Sequence, residues 1–155
     1  MGPRYRGAVG WTAVLLMLAG LLPAAAAWAQ DLVISPQGRA LLAGRSFACV
    51  LGRAGVRADK LEGDGATPAG SFPLRRVLYR PDKLAGPPAT GLPVAALRPQ
   101  DGWCDDSGRP EYNQPVVLPF AGSHEQLWRQ DQAYDLIVVV GYNDQPVVPG
   151  RGSAI

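Results

Sequence analysis

The chain has 155 residues and a formal charge of +2, from 15 basic and 13 acidic side chains, with 19 glycines, 15 prolines and two cysteines. Both surplus positive charges, Arg4 and Arg6, lie in the first 29 residues, so the rest is formally neutral and offers no polyanion-binding surface; no nucleic-acid partner is expected. The remaining length of about 125 residues suits one domain with a real core, and its scattered Gly and Pro predict many turns between short strands.

Residues 1–29 read as a secretory signal peptide. Arg4 and Arg6 form a basic start, an apolar run extends from Ala8 to Leu22, Pro23 breaks it, and Ala27-Trp28-Ala29 is a small-x-small cleavage site. The run is short for a bilayer span, so no stable membrane anchor is expected after cleavage. The mature chain then starts at Gln30 or Asp31, in the periplasm or outside the cell.

Asp31 to Ser35 is a short apolar strand, Pro36 to Arg39 a turn, and Arg39–Ala43 and Ser46–Leu51 further strands divided at Gly44-Arg45. Period-two spacing puts Phe47, Cys49 and Leu51 on one face. Ser71–Tyr79 is a strand whose Pro73 suits a sheet edge. Ala85–Pro93 is a Pro-rich loop, and Val94–Leu97 a short strand. Asp101–Asn113 reads as a polar, acidic loop, and Val116–Leu118 as a strand stopped by Pro119. Ser123–Arg129 predicts a helix, with Ser123 as N-cap, Gln126 completing a capping box, and Leu127 and Trp128 turned inward. Tyr134–Val140 is the strongest strand, and its continuous apolar run predicts a central position with both faces buried. Gly141–Asp144 is a turn, and Ser153–Ile155 begins another strand. Pairing of the Tyr134–Val140 strand is expected to continue beyond Ile155; without it an open edge invites self-association. The oligomeric state is not legible.

The segment Asp64-Gly65-Ala66-Thr67-Pro68-Ala69-Gly70-Ser71-Phe72 carries most functional information. Gly65 and Gly70 have a phosphate-loop spacing, but Ser71-Phe72 follows where Lys-Ser/Thr is needed, which excludes a nucleotide site. Its predicted role is geometric: glycines at special backbone angles, Thr67-Pro68 as an extended bend, and Asp64 accepting nearby amide hydrogen bonds. Asp101, Asp105, Asp106 and Glu111 lack the alternation of a calcium loop, and one histidine with two distant cysteines makes a poor zinc site, so no metal is expected. Cys104, His124 and Asp105 or Asp106 have the residue types of a Cys-His-Asp nucleophilic site. Export also permits a Cys49–Cys104 disulfide, worth about 4 kcal/mol on the chain-entropy model.

The Asp64–Phe72 segment resembles the D-G-x-T-P-x-G-x-F turn of L,D-transpeptidases, the YkuD-type catalytic domain. Gly102-Trp103-Cys104-Asp105-Asp106, Ser123-His124-Glu125, Leu127-Trp128-Arg129, Tyr134-Asp135-Leu136 and Gly141-Tyr142-Asn143-Asp144 extend the resemblance over Phe47 to Ile155. It implies a β-rich mixed sandwich with one or two short helices, peptidoglycan stem peptides as partners, no cofactor, and a cysteine acyl-enzyme chemistry. The family's nucleophile lies in a Ser/Thr-x-Gly-Cys motif preceded by a histidine. Neither motif occurs here, so both are expected beyond Ile155, and residues 30–155 read as a partial domain, incomplete at its C-terminus, with no catalytic residue of its own. A frameshift, a fragmentary reading frame and a retained wall-binding module each account for this. Asp64, Thr67, Gly70, Trp103, His124, Tyr142 and Arg151 are the candidate cleft-supporting residues. The alternatives are a non-catalytic exported wall-binding module and a thiol enzyme using Cys104 and His124.

Overall fold

Short segments punctuated by Gly and Pro form eleven strands and no helix among residues 30–153, which are those described by the computed structural model. They are β1 (Val33–Ser35), β2 (Arg39–Leu42), β3 (Arg45–Ala48), β4 (Val56–Arg57), β5 (Thr67–Pro68), β6 (Leu74–Tyr79), β7 (Val94–Ala96), β8 (Asp101–Cys104), β9 (Pro115–Val117), β10 (His124–Gln126) and β11 (Leu136–Val140). The signal-peptide segment lies outside the described residues, as do Ala154 and Ile155 of the anticipated last strand.

Strands β1, β2 and β3 make an antiparallel meander. Its second turn is Ala43-Gly44, with φ of 51° and 74°, the paired positive angles that match a two-residue hairpin to the strand twist. Two three-stranded sheets build the body, in the orders β11-β6-β7 and β10-β8-β9. Leu97, Ile137 and Val139 from the first sheet and its loops pack with Trp103 and Leu127 from the second, and Leu78, Trp128 and Tyr134 close around them. Each large apolar side chain buried there contributes about 1.5–3 kcal/mol.

Several sequence expectations are corrected. Ser123–Arg129 is not helical: His124, Glu125 and Gln126 pair with Cys104, Trp103 and Gly102 of β8. One capping box cannot offset the cost of nucleating so short a helix when a neighbouring strand offers a complete ladder. Leu127 nevertheless turns inward, and Trp128 packs on the core as expected. Asp101–Cys104 is a buried strand, not loop, because Gly102, Trp103 and Cys104 all face protein while the acidic side chains sit at or beyond its ends. The Tyr134–Val140 run forms a strand only from Leu136, and β6, not β11, is central in that sheet. Burial in β11 alternates: Ile137 and Val139 are 7% and 4% exposed, whereas Leu136 and Val138 are 47% and 37%. The third strand ends at Ala48, leaving Cys49 outside it and Phe47 exposed.

Candidate functional site

The Thr-Pro turn is held from three sides. The Asp64 carboxylate accepts hydrogen bonds from the Leu61 amide at 2.8 Å, the Ala66 amide at 2.8 Å and the Lys60 ammonium at 3.0 Å. The two amides, then Lys60, hold its pKa down from 3.8 to about 2. Thr67 Oγ1 accepts the Gly52 amide at 2.9 Å. A Cβ on Gly52 would stand 2.3 Å from the Gly65 carbonyl oxygen, so only glycine lets the two backbones meet. Pro68 lies inside a two-residue parallel ladder between β4 and β5 without losing a bond. The amides used are those of Thr67, to Gly55, and Ala69, to Arg57, each at 2.8 Å.

The turn leads into an aromatic cluster. At Gly70, with φ of 145°, a Cβ would come within 2.7 Å of the Phe72 ring, and that ring meets Tyr142 edge-on at 5.3 Å. The Tyr142 hydroxyl donates to the Arg151 carbonyl. Gly152 packs where a side chain would strike Lys60 and Tyr142, its would-be Cβ 2.9 Å from the first and 3.1 Å from the second. Tyr112, 1% exposed, ties this together: its hydroxyl donates to Glu62 at 2.6 Å and accepts the Gly152 amide at 2.9 Å. Burial, with the Glu62 carboxylate, pushes its ionisation upward, so it stays a neutral donor.

Asn113 is the second tie. Buried, with a left-handed φ of 58°, it accepts the Trp103 indole N–H at 3.1 Å and donates to the carbonyls of Tyr142 and Asn143 at 3.1 and 2.8 Å. Asn143 in turn holds the Val148 amide and the Val148 and Gly152 carbonyls.

Of the candidate cleft-supporting residues, Asp64, Thr67, Gly70, Trp103, Tyr142 and Arg151 thus belong to one connected frame. His124 stands apart: its Nδ1 lies 2.8 Å from the Gly122 carbonyl, and its ring meets Phe120 edge-on. Lys60, Glu62, Tyr112, Asn113 and Asn143 were not singled out from sequence. The available signal was the Asn residues beside turn glycines and aromatics, since Asn tolerates the left-handed region that both asparagines occupy.

Cys49 and Cys104, the possible disulfide pair, are both free thiols in this structure. Cys104 is fully buried on β8, its sulfur facing the Asp106 carbonyl at 3.9 Å, and burial pushes its pKa up. Among the described residues no group of three His, Cys, Asp or Glu side chains could hold a metal ion, and no helix is long and apolar enough to cross a membrane.

The family model of the L,D-transpeptidase catalytic domain, YkuD, matches residues 30–155. The chain belongs to the L,D-transpeptidase catalytic-domain family. No curated protein and no solved structure matches it. The frame around the Thr-Pro turn is therefore part of an L,D-transpeptidase-type domain, a family whose substrate is peptidoglycan.

The pH response of this frame has a definite sign. A depressed carboxylate pKa contributes stability that is fully present above 3.8 and is lost as pH falls through about 2. Asp64→Asn keeps an acceptor but loses the charge. The melting-temperature gap between wild type and Asp64→Asn should be widest above pH 4 and shrink steadily towards pH 2. A gap independent of pH across that window would remove Asp64 as the charged anchor of the turn.

Proposed function

We propose that this is an exported peptidoglycan-modifying protein whose 155 residues frame a stem-peptide acyl-transfer site without supplying its nucleophile. The observation that carries the proposal is the family match over residues 30–155, together with a Thr-Pro turn clamped by Asp64, Gly52 and the Tyr112–Gly152 tie. In the family's chemistry a cysteine thiolate, formed by a neighbouring histidine, attacks the carbonyl at the L-centre of meso-diaminopimelate in a stem tetrapeptide. D-Alanine leaves, and the acyl group passes to an amine on a second stem or to water. Backbone amides near that cysteine hold the oxyanion. The basic leader and the Ala27-Trp28-Ala29 site support export.

No Ser/Thr-x-Gly-Cys occurs in the 155 residues. Cys104 is a poor substitute. A nucleophilic cysteine needs thiolate character and access, and this thiol is buried with a raised pKa. His124 pairs opposite Cys104 in the ladder, but no hydrogen bond joins its ring to the thiol among the described residues; the thiol faces the Asp106 carbonyl and the ring the Gly122 carbonyl.

Expressed in a Gram-negative host, the chain should be recovered from the periplasm with Gln30 or Asp31 at its start. Incubated with disaccharide tetrapeptide, it should release no D-alanine and gain no acyl adduct by intact mass. An adduct abolished by Cys104→Ser would replace this proposal with the thiol-enzyme reading. Cytoplasmic recovery of the uncleaved chain would refute export.

A further inference from the structure

A trough runs between β6 and β7 on one side and β8 and β9 on the other. Its two adjoining compartments, of about 450 and 570 Å³, share Arg76 and Pro115 in their walls. Trp103, Asn113 and Val139 line the first, and Ala95, Leu97 and Val116 the second. Strands β7 and β9 border it, each the outermost strand of its sheet, so both leave backbone donors and acceptors unused by the ladders.

The charges in these walls are unequally committed. Arg75 pairs with Asp144 at 2.8 Å, and Arg98 with Asp101 at 3.3 Å. Arg76 shares the walls of both compartments and is half-buried, and its guanidinium has no hydrogen bond or ion pair among the described residues. Its cross-strand partner is the buried Val139, and the carboxylates in the same walls, Asp144 and Asp101, are paired with Arg75 and Arg98. A partly desolvated guanidinium without a counter-charge is costly, and its planar fork matches a carboxylate.

We infer that this trough binds a carboxylate-bearing peptide in extended form, with Arg76 holding the carboxylate. The ligand class follows from charge complementarity and from the free strand edges, which suit main-chain pairing with an extended chain. Resting on the peptidoglycan reading above, the natural occupant is a stem peptide, which presents free carboxylates at its terminal D-alanine and at meso-diaminopimelate. The trough is then a substrate subsite separate from Cys104.

The test titrates the full chain by calorimetry with three probes: the free tetrapeptide L-Ala-γ-D-Glu-meso-diaminopimelyl-D-Ala, its carboxyl-amidated analogue, and acetyl-L-Ala-L-Ala. Wild type, Arg76→Ala and Arg76→Lys are compared, with far-UV circular dichroism to confirm folding. Tetrapeptide binding that weakens about tenfold or more in Arg76→Ala, partly returns in Arg76→Lys, and weakens similarly on amidation is the expected result. Equal tetrapeptide binding by wild type and Arg76→Ala overturns the assignment of the trough while leaving the cell-wall reading intact. Binding of acetyl-L-Ala-L-Ala alone, lost in Arg76→Ala, keeps the carboxylate site and overturns the stem-peptide occupant. No binding of any probe overturns the inference. Should Arg76→Ala fail to fold, the wild-type arginine Nε–Hε resonances decide: the tetrapeptide must shift one that Arg76→Lys removes, and the absence of such a shift refutes the site.

Discussion

Trp103→Ala should cost about 3–5 kcal/mol, a large part of the 5–15 kcal/mol typical of a folded domain. Trp103 is 3% exposed, packs with Leu97, Leu127, Ile137 and Val139, and is the point where the two sheets of the body share one core. Truncation opens a cavity that β-sheet backbone cannot close, because strand positions are fixed by their ladders. It also leaves the Asn113 side-chain oxygen without the indole donor. Urea unfolding followed by far-UV circular dichroism measures the loss. Trp103→Phe, which keeps most of the volume but not the N–H, should cost roughly 1–2 kcal/mol. A loss under about 1 kcal/mol in the alanine variant would mean that Trp103 does not join the sheets.

Asn113→Ala comes second, at about 3 kcal/mol. The change strips the indole N–H of its acceptor and the Tyr142 and Asn143 carbonyls of a donor. It also leaves an alanine at φ of 58°, where Asn is better tolerated. Asn113→Gly separates the two effects: glycine relieves the backbone and restores only about 1 kcal/mol, while the hydrogen bonds stay lost. If glycine restored full stability, the side-chain network would be irrelevant. Because Asn113 and Trp103 share a bond, their losses should not add, and a double-mutant cycle should show coupling of about 0.5–3 kcal/mol.

Much of the strand pattern was legible because alternation and turn chemistry act locally. The hairpin at Ala43-Gly44, the strand after Pro73 and the Leu136–Val140 strand all lie close to where period and punctuation put them. What failed depended on partners. Ser123 to Gln126 has the chemistry of a helix start, and only the presence of β8 alongside makes it a strand. Asp101 to Cys104 looks polar because its carboxylates dominate the local composition, yet Asp101 accepts the Arg98 amide and Asp106 the Gly108 amide, at opposite ends of a buried segment. The unbroken apolar run of β11 suggested burial on both faces, but one face is open. At the site, the Thr-Pro turn was readable from its residue types. Tyr112 and Asn113 were not, since their roles arise from residues far away in the chain.

That distance shapes how the domain assembles. The Tyr112 hydroxyl closes spans of 50 residues to Glu62 and 40 residues to Gly152, and Asn113 reaches 29 residues to Tyr142. Each closure must meet its loop entropy before its bonds contribute. The β1–β3 meander can form as soon as its own residues leave the ribosome, whereas the turn around Thr67 waits for partners synthesised much later. Folding of this domain is consequently governed by non-local pairing and belongs to the slow, β-type regime. During synthesis the Thr-Pro turn emerges early and stays solvent-exposed until Tyr112 and the Gly150–Gly152 segment arrive to close it, an interval in which protease and chaperone compete for the chain.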